Sequence, residues 1–171
     1  SSDSPAGQIS DLEFTADYDD LRKLEEFARG VDVVTFEFEN IPSEALTLIA
    51  GLRPVHPRPE VLRICQNRAR EKEFLVREGF PCARHAIVRS AAEAAASAAV
   101  MGFPCVLKSA DFGYDGKGQA KLGNASDAAE AWRLLDAPSA VIEEWVDFRC
   151  EISAVCARDG HGRVETFPVS E

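Results

Sequence analysis

The feature of this sequence that most constrains its fold is a cluster of three glycines within six residues. Gly113-Tyr114-Asp115-Gly116-Lys117-Gly118 lies between two strand-like segments, Cys105–Lys108 and Gln119–Leu122. Because glycine permits positive φ and close approach to the backbone, successive N–H groups in such a loop can converge on an anion such as phosphate. The spacing matches neither the P-loop nor the Rossmann dinucleotide motif. It predicts a loop between two strands, which is either an anion-binding loop or a flexible hairpin without a ligand.

Two other segments extend this pattern toward a nucleotide site. Lys108 ends the apolar strand just before the loop, where its ammonium can deliver a positive charge to phosphates. A protein kinase has its glycine loop before the lysine, so the order here excludes a kinase. Downstream, the apolar strand Val141–Val146 becomes polar at Glu143 and Glu144, and Glu151 follows it. The backbone of such a strand end can bind the edge of adenine, and a nearby carboxylate can bind ribose. The alternative for Lys108 is a solvated lysine at a strand edge, and the alternative for the glutamates is an acidic surface patch.

The order of predicted elements changes along the chain. The first part alternates helices and strands, which is typical of a parallel α/β fold: helix Asp19–Arg29, strand Val31–Phe38, helix Ser43–Ala50 with Ser43 as its cap, and strand Arg53–His56. Helices are then predicted from Pro59 and over Arg68–Glu78, and Phe80-Pro81-Cys82 is the expected domain boundary. The second part predicts an antiparallel α+β unit. Its elements are strand His85–Val88, a helix opened by Ser90 and Glu93, the two strands around the glycine loop, a helix after Ser126, strand Ala140–Trp145, and a hairpin of Cys150–Arg158 with Arg163–Val169.

Charge and composition exclude several function classes. The 171 residues carry 19 Lys plus Arg against 29 Asp plus Glu, a net charge of −10, which disfavours nucleic acid as a partner. No apolar run approaches the roughly 20 residues of a membrane span, and the first residues lack the features of an export signal. The five cysteines form no C-x-x-C pair and have no zinc-ligand spacing. We expect a cytoplasmic protein with reduced, mostly buried cysteines.

These residues resemble a known family. Lys108, the run Gly113–Gln119, the segment Glu143-Glu144-Trp145-Val146 and Glu151 are similar to the ATP-grasp fold. Together with Asp32–Pro42, these motifs resemble those of the carboxyaminoimidazole ribonucleotide synthetases of purine synthesis. The resemblance runs from Asp19 to Glu171. It implies a mixed α/β and α+β chain: a partial, Rossmann-like pre-ATP-grasp domain over 1–80, the small ATP-grasp lobe over 81–148, and the first hairpin of the large lobe over 149–171.

The resemblance also implies a role for each matching residue. The expected nucleotide-binding residues are Arg68, Lys108, Gly113, Tyr114, Asp115, Gly116, Lys117, Gly118, Gln119, Glu143, Glu144, Trp145, Val146 and Glu151. Arg68 and Lys108 would contact the ATP phosphates, Glu144 C=O and Val146 N–H would bind adenine, and Glu151 would bind ribose. Asp115 and Lys117 are the expected catalytic residues, and Tyr114 and Asp115 are expected to face the ribonucleotide. Glu39 follows a predicted strand, where it is either a substrate contact or a structural hydrogen-bonding residue.

The implied reaction joins ATP, bicarbonate and 5-aminoimidazole ribonucleotide, with carboxyphosphate as intermediate and ADP and phosphate as products. The expected cofactors are ATP and Mg²⁺, with the Mg²⁺ ligands outside this chain. The family also implies a homodimer for the full-length protein. The sequence is expected to be an inactive fragment of such an enzyme. Another ATP-grasp ligase, such as the formate-dependent glycinamide ribonucleotide transformylase, and a non-catalytic nucleotide-binding module remain alternatives.

Overall fold

The computed structural model describes residues 4–111 and 118–171, and within them three β-sheets are formed. The helices of the described residues are α1 (Leu21–Arg29), α2 (Ser43–Ala50), α3 (Pro59–Cys65), α4 (Arg68–Arg77), α5 (Ala91–Met101) and α6 (Asp127–Leu135), with a short 3₁₀ turn at Gly7–Ile9. Their strands are β1 (Val34–Thr35), β2 (Val55–His56), β3 (His85–Val88), β4 (Cys105–Ser109), β5 (Gln119–Leu122), β6 (Ala140–Glu144), β7 (Cys156–Arg158) and β8 (Val164–Thr166). Among the described residues, no helix is long and apolar enough to cross a membrane.

The first sheet contains β1 and β2, which pair in parallel with Val34 opposite Val55. This confirms the predicted parallel α/β start. The strand predicted over Val31–Phe38 is wrong in length, because the pairing with β2 covers only Val34–Thr35. The residues that follow, including Glu39, therefore lie outside the strand. Helices α1, α2 and α3 contribute to the core under this sheet, which consists of Ala28, Val34, Ile41, Leu46, Ile49, Val55 and Leu62.

Several helices begin at local sequence signals. At the start of α1, the Asp20 carboxylate accepts a hydrogen bond from Lys23 N. At the start of α5, the Ser90 hydroxyl accepts one from Glu93 N, as predicted. Pro59 occupies the first turn of α3, also as predicted. The predicted Ser43 cap is wrong. Helix α2 already begins at Ser43, and Pro42 holds the cap position without a side-chain hydrogen bond.

The second sheet has four antiparallel strands in the order β3-β6-β4-β5, which confirms the predicted change to antiparallel pairing. Helices α5 and α6 pack on each other and on one face of the sheet. The core between them consists of Val88, Ala94, Ala98, Cys105, Leu107, Leu122, Ala128, Ala131, Ala140 and Ile142. The alanines of α5 thus have a packing reason, because small side chains let the helix lie close to the sheet.

The opposite face of this sheet carries the polar side chains. Side chains alternate between faces along a strand. Cys105 and Leu107 enter the core, so Val106 and Lys108 lie on the other face of β4. The strand register places Glu143 of β6 opposite Val106, and Gln119 of β5 opposite Lys108. The sheet therefore brings together, on one face, residues from three strands that belong to separate sequence motifs.

The third sheet is the β7–β8 hairpin, with Ala157 opposite Glu165. Its turn matches the prediction, since the Asp159 carboxylate accepts hydrogen bonds from the backbone N–H of both His161 and Arg163. Both strands are shorter than predicted, and all their residues are exposed.

The expectation that most of the cysteines are buried is wrong. All five are free thiols, and Cys105, on the core face of β4, is the buried one. Cys65 ends α3 on the exposed side, while Cys150 and Cys156 belong to the exposed part of the chain around the last hairpin. Cys82 is half-buried.

Candidate functional site

The start of helix α4 is attached to the end of strand β4, next to the glycine-rich segment. Arg68 N donates to Ala110 O at 2.8 Å, and the Arg68 guanidinium donates to Ser109 O at 2.8 Å. Asn67 caps the helix by accepting from Arg70 N, and its amide donates to the Asp111 carboxylate at 2.6 Å. These contacts fix α4 against the sheet, with Arg68 at the strand end where the phosphate-binding loop was predicted.

The base of that loop is closed by a backbone hydrogen bond. Ser109 N donates to Gly118 O at 2.8 Å, and Gly118 has φ of 68°, a left-handed conformation that favours glycine. This bond extends the pairing of β4 with β5 and confirms that the glycine cluster connects two antiparallel strands. The predicted residues Gly113, Tyr114, Asp115, Gly116 and Lys117 lie outside the described residues.

A cleft of about 720 Å³ lies on the polar face of the four-stranded sheet. Strands β4, β5 and β6 form its floor, and the residues after β6 form a side. It is lined by Val106, Lys108, Gln119, Lys121, Glu143, Glu144, Trp145, Val146, Phe148 and Glu151. Seven of the residues predicted to bind a nucleotide therefore share one cavity, namely Lys108, Gln119, Glu143, Glu144, Trp145, Val146 and Glu151. The cleft combines cations, carboxylates and apolar walls, as a site for a phosphorylated base requires.

The strongest electrostatic feature of the cleft is Glu143, whose side chain is only 9% exposed. Lys108 Nζ lies 3.0 Å from Glu143 Oε2, and Lys72 Nζ of helix α4 lies 3.3 Å from Glu143 Oε1. Burial raises the pKa of this carboxyl, but hydrogen bonds and positive charge from Lys108 and Lys72 outweigh burial, so the net pKa is lowered. One carboxylate between two ammonium groups leaves the cluster with a net charge of one positive unit.

Replacing Glu143 by glutamine is expected to destabilise the 171-residue chain by about 2 kcal/mol. Removing one partner of a fully buried ion pair costs roughly 3–5 kcal/mol, and here both lysines keep some contact with water. Urea unfolding measures the change. The matched control is Glu130→Gln, which breaks the exposed pair with Arg133 and should leave the unfolding midpoint nearly unchanged. Equal stability of the two variants would contradict the importance of the buried cluster.

The same cluster predicts a pH dependence. The folded-state pKa of Glu143 lies below its ordinary value near 4.5, so its contribution to stability is fully present above that pH. The contribution is lost as the pH falls through the lowered pKa. We therefore expect the stability difference between the unaltered chain and Glu143→Gln to be constant at neutral pH and to shrink on acidification.

Glu144, the next residue, points away from this cluster and fixes the end of β6. Its carboxylate accepts hydrogen bonds from Arg84 N at 2.9 Å and from Arg84 Nε at 2.7 Å, while Glu144 N donates to Arg84 O at 3.0 Å. The backbone and side-chain hydrogen bonds from Arg84 lower the pKa of Glu144. Arg84 directly precedes β3 and also donates to Met101 O at the end of α5. Through Arg84, the segment that begins at Glu144 and is expected to bind adenine is therefore attached to both elements.

Two cations of the site were missed by the sequence analysis. Lys121 lines the cleft with its ammonium 3.7 Å from the centre of the Trp145 ring, a cation–π contact. The period of two along β5 could have identified it, because Lys121 shares a face with Gln119. Lys72 reaches Glu143 from helix α4, and no local pattern predicts that contact.

Comparison with known proteins places these observations in a family. The model of the ATP-grasp domain matches residues 73–171, and the model of the ribonucleotide synthetase preATP-grasp domain matches residues 1–66. The chain belongs to the ATP-grasp family. This confirms the fold class expected from the motifs, while the domain bounds 1–80, 81–148 and 149–171 stay a prediction.

Curated relatives of this ATP-grasp chain include N5-carboxyaminoimidazole ribonucleotide synthases. The protein of Bacillus subtilis is 36% identical over 169 residues, which cover 99% of this chain and 44% of the relative. That of Pseudomonas aeruginosa is 39% identical over 154 residues, which cover 90% of this chain and 43% of the relative. The chain thus spans less than half the length of these relatives.

Solved structures of similar proteins agree with the assignment of this chain to the ATP-grasp family. An ADP complex of an N5-carboxyaminoimidazole ribonucleotide synthetase superposes with a TM-score of 0.91 and 36% identity, covering 99% of this chain and 45% of the other. The Aspergillus clavatus enzyme in complex with ADP and 5-aminoimidazole ribonucleotide gives a TM-score of 0.83 and 29% identity, covering 97% and 44%.

Not every predicted residue lies in the cleft of the ATP-grasp chain. Arg68 lies beside it, with its guanidinium on the Ser109 carbonyl. Glu39 is exposed and does not line the cleft. Its backbone carbonyl accepts a hydrogen bond from the Gln66 amide at 2.6 Å, at the junction of α3 and α4. The side-chain role predicted for Glu39 stays a prediction.

Proposed function

We propose that this chain supplies the nucleotide-binding part of an enzyme that carboxylates 5-aminoimidazole ribonucleotide with bicarbonate, consuming ATP and releasing ADP and phosphate. The single observation that carries the proposal is the cleft on the four-stranded sheet, in which seven residues expected to bind ATP line one cavity. The similarity to synthases that carry this name supports the choice of reaction.

In the proposed site the nucleotide lies along the polar face of the sheet. The segment Glu144–Val146 binds adenine through its backbone, Glu151 accepts hydrogen bonds from the ribose, and Lys108 contacts the phosphates. Lys121 and Trp145 border the same cavity. Arg68 approaches the phosphates from the start of α4, and Gln119 contributes from the start of β5.

The proposed chemistry depends on charge stabilisation. Bicarbonate is a poor electrophile, so ATP activates it as carboxyphosphate, whose carboxyl group passes to the amine of the ribonucleotide. Cations held around the transferred phosphoryl group stabilise the developing charge, and a closed loop protects the intermediate from water. The segment Gly113–Gln119 is proposed as that loop, with Tyr114 and Asp115 facing the ribonucleotide and Lys117 as a basic contact.

For the whole protein we also propose Mg²⁺ as a cofactor, a homodimer as the oligomeric state, and the cytoplasm as the location. Among the residues that the structure describes, no group of three or more His, Cys, Asp or Glu side chains could hold a metal ion.

The test is an ADP-release assay on the product of the complete reading frame that contains these residues. With ATP present, release should require 5-aminoimidazole ribonucleotide and bicarbonate together. The parallel reaction with glycinamide ribonucleotide and formate tests the transformylase alternative. ADP release only in the formate reaction would replace the proposed function, and no substrate-dependent release in either would favour a non-catalytic nucleotide-binding module.

A further inference from the structure

The pairing of two lysines with one buried carboxylate is not explained by nucleotide binding through Lys108 alone. Lys108 lines the cleft and its side chain is 27% exposed, whereas the Lys72 side chain is 15% exposed and does not line the cleft. Each ammonium contacts a different oxygen of Glu143. Lys72 is therefore placed to act on Glu143 and not directly on a ligand in the cleft.

The charges show what the second lysine contributes. If Lys108 were the sole partner of Glu143, the pair would be neutral. Movement of Lys108 to an anionic ligand would then leave an ionised carboxylate unpaired in a site with little access to water. Such a charge is costly. With Lys72 in place, Glu143 keeps a cationic partner, and the cluster presents a net positive charge to the cleft.

We propose that Lys72 is a positioning residue that keeps Glu143 ionised and paired while Lys108 exchanges this carboxylate for a nucleotide phosphate. Lys72 thus increases ATP affinity through Glu143, without touching ATP. This inference rests on the proposed function, since it takes the phosphate of ATP as the ligand of Lys108.

The experiment measures steady-state kinetics of the complete reading-frame product for three single variants. Lys72→Met removes the charge at similar length, Lys72→Arg retains it, and Arg77→Met is the matched control. Arg77 lies on the same helix, and its side chain is 68% exposed and paired with Glu78.

Lys72→Met should raise the KM for ATP about tenfold, the equivalent of one charge-assisted hydrogen bond. The KM for the ribonucleotide should change less than about twofold, Lys72→Arg should recover most of the ATP affinity, and Arg77→Met should behave as wild type.

A double variant separates action through Glu143 from other roles. In Lys72→Met/Glu143→Gln no carboxylate remains to hold Lys108, so the KM for ATP should be lower than in Lys72→Met alone. A double variant that binds ATP no better than Lys72→Met would overturn the proposal, because a direct phosphate contact or a general structural role of Lys72 predicts no rescue.

The outcome also distinguishes the two levels of inference. Substrate-dependent ADP release by wild type, together with an unchanged KM for ATP in Lys72→Met, overturns the role of Lys72 alone. Absence of substrate-dependent release in wild type overturns the proposed function and this inference with it.

Discussion

Lys108→Ala is expected to raise the KM for ATP by roughly 10–100-fold in the complete reading-frame product. A charge-assisted hydrogen bond contributes about 1.5–3 kcal/mol, and each 1.4 kcal/mol corresponds to about tenfold in affinity. Lys108 is a cation of the described cleft that lies on β4 near the end that leads to the glycine-rich segment, with its ammonium 3.0 Å from Glu143 Oε2. Steady-state kinetics at saturating ribonucleotide and bicarbonate measure the change.

The control for this variant is Lys23→Ala. Lys23 is on α1 and pairs with Glu26 on an exposed surface, so its loss removes the same charge far from the cleft. Circular dichroism should show the same fold for both variants, because Lys108 lies on the polar face of β4 and not in the core. A KM for ATP that is the same in Lys108→Ala and Lys23→Ala would remove Lys108 from the phosphate site.

The isolated 171-residue chain is expected to show no ADP release that depends on 5-aminoimidazole ribonucleotide. It covers 44% of the Bacillus subtilis relative, and the family resemblance implies that the Mg²⁺ ligands lie outside it. Phosphoryl transfer from ATP depends on metal ions that neutralise the phosphates. We expect this chain to bind ADP or ATP weakly, with a Kd of about 1 mM, which corresponds to roughly −4 kcal/mol.

Phosphate release and isothermal titration calorimetry check this expectation, with the product of the complete reading frame assayed in parallel. Release by the 171-residue chain that increases with added ribonucleotide would show that these residues hold a complete active site. Such a result would contradict the assignment of this chain to one part of the site.

The second part of the fold could be predicted well from sequence because its signals are local. Cys105–Lys108 is a short apolar run that ends at a lysine, which predicts a strand, and the Ser90 cap defines the start of α5. The glycine cluster between two strands indicated an antiparallel connection, which the bond from Ser109 to Gly118 bears out. Strand β1 was overestimated, because a β-branched run indicates strand propensity while the length of a strand depends on its partner.

The candidate site could be predicted only in part. The motif residues Lys108, Glu143 and Glu151 are found in one cleft, as the pattern suggested. The contact of Lys72 with Glu143 joins a helix and a strand that are far apart in sequence, so it depends on how α4 packs on the sheet. The hydrogen bond from Arg84 to the Glu144 carboxylate also depends on tertiary packing. Contacts of this kind arise from tertiary packing and leave no periodic signal in the chain.

The central claim is that the cleft over β4, β5 and β6 binds an adenine nucleotide. Its most direct test is amide chemical-shift mapping of the ¹⁵N-labelled 171-residue chain with millimolar ADP, and with GDP as control. We predict saturable shifts at Lys108, Gln119 and the segment Glu144–Val146, stronger for ADP than for GDP. Shifts confined to residues outside this cleft, or none at millimolar ADP, would contradict the claim.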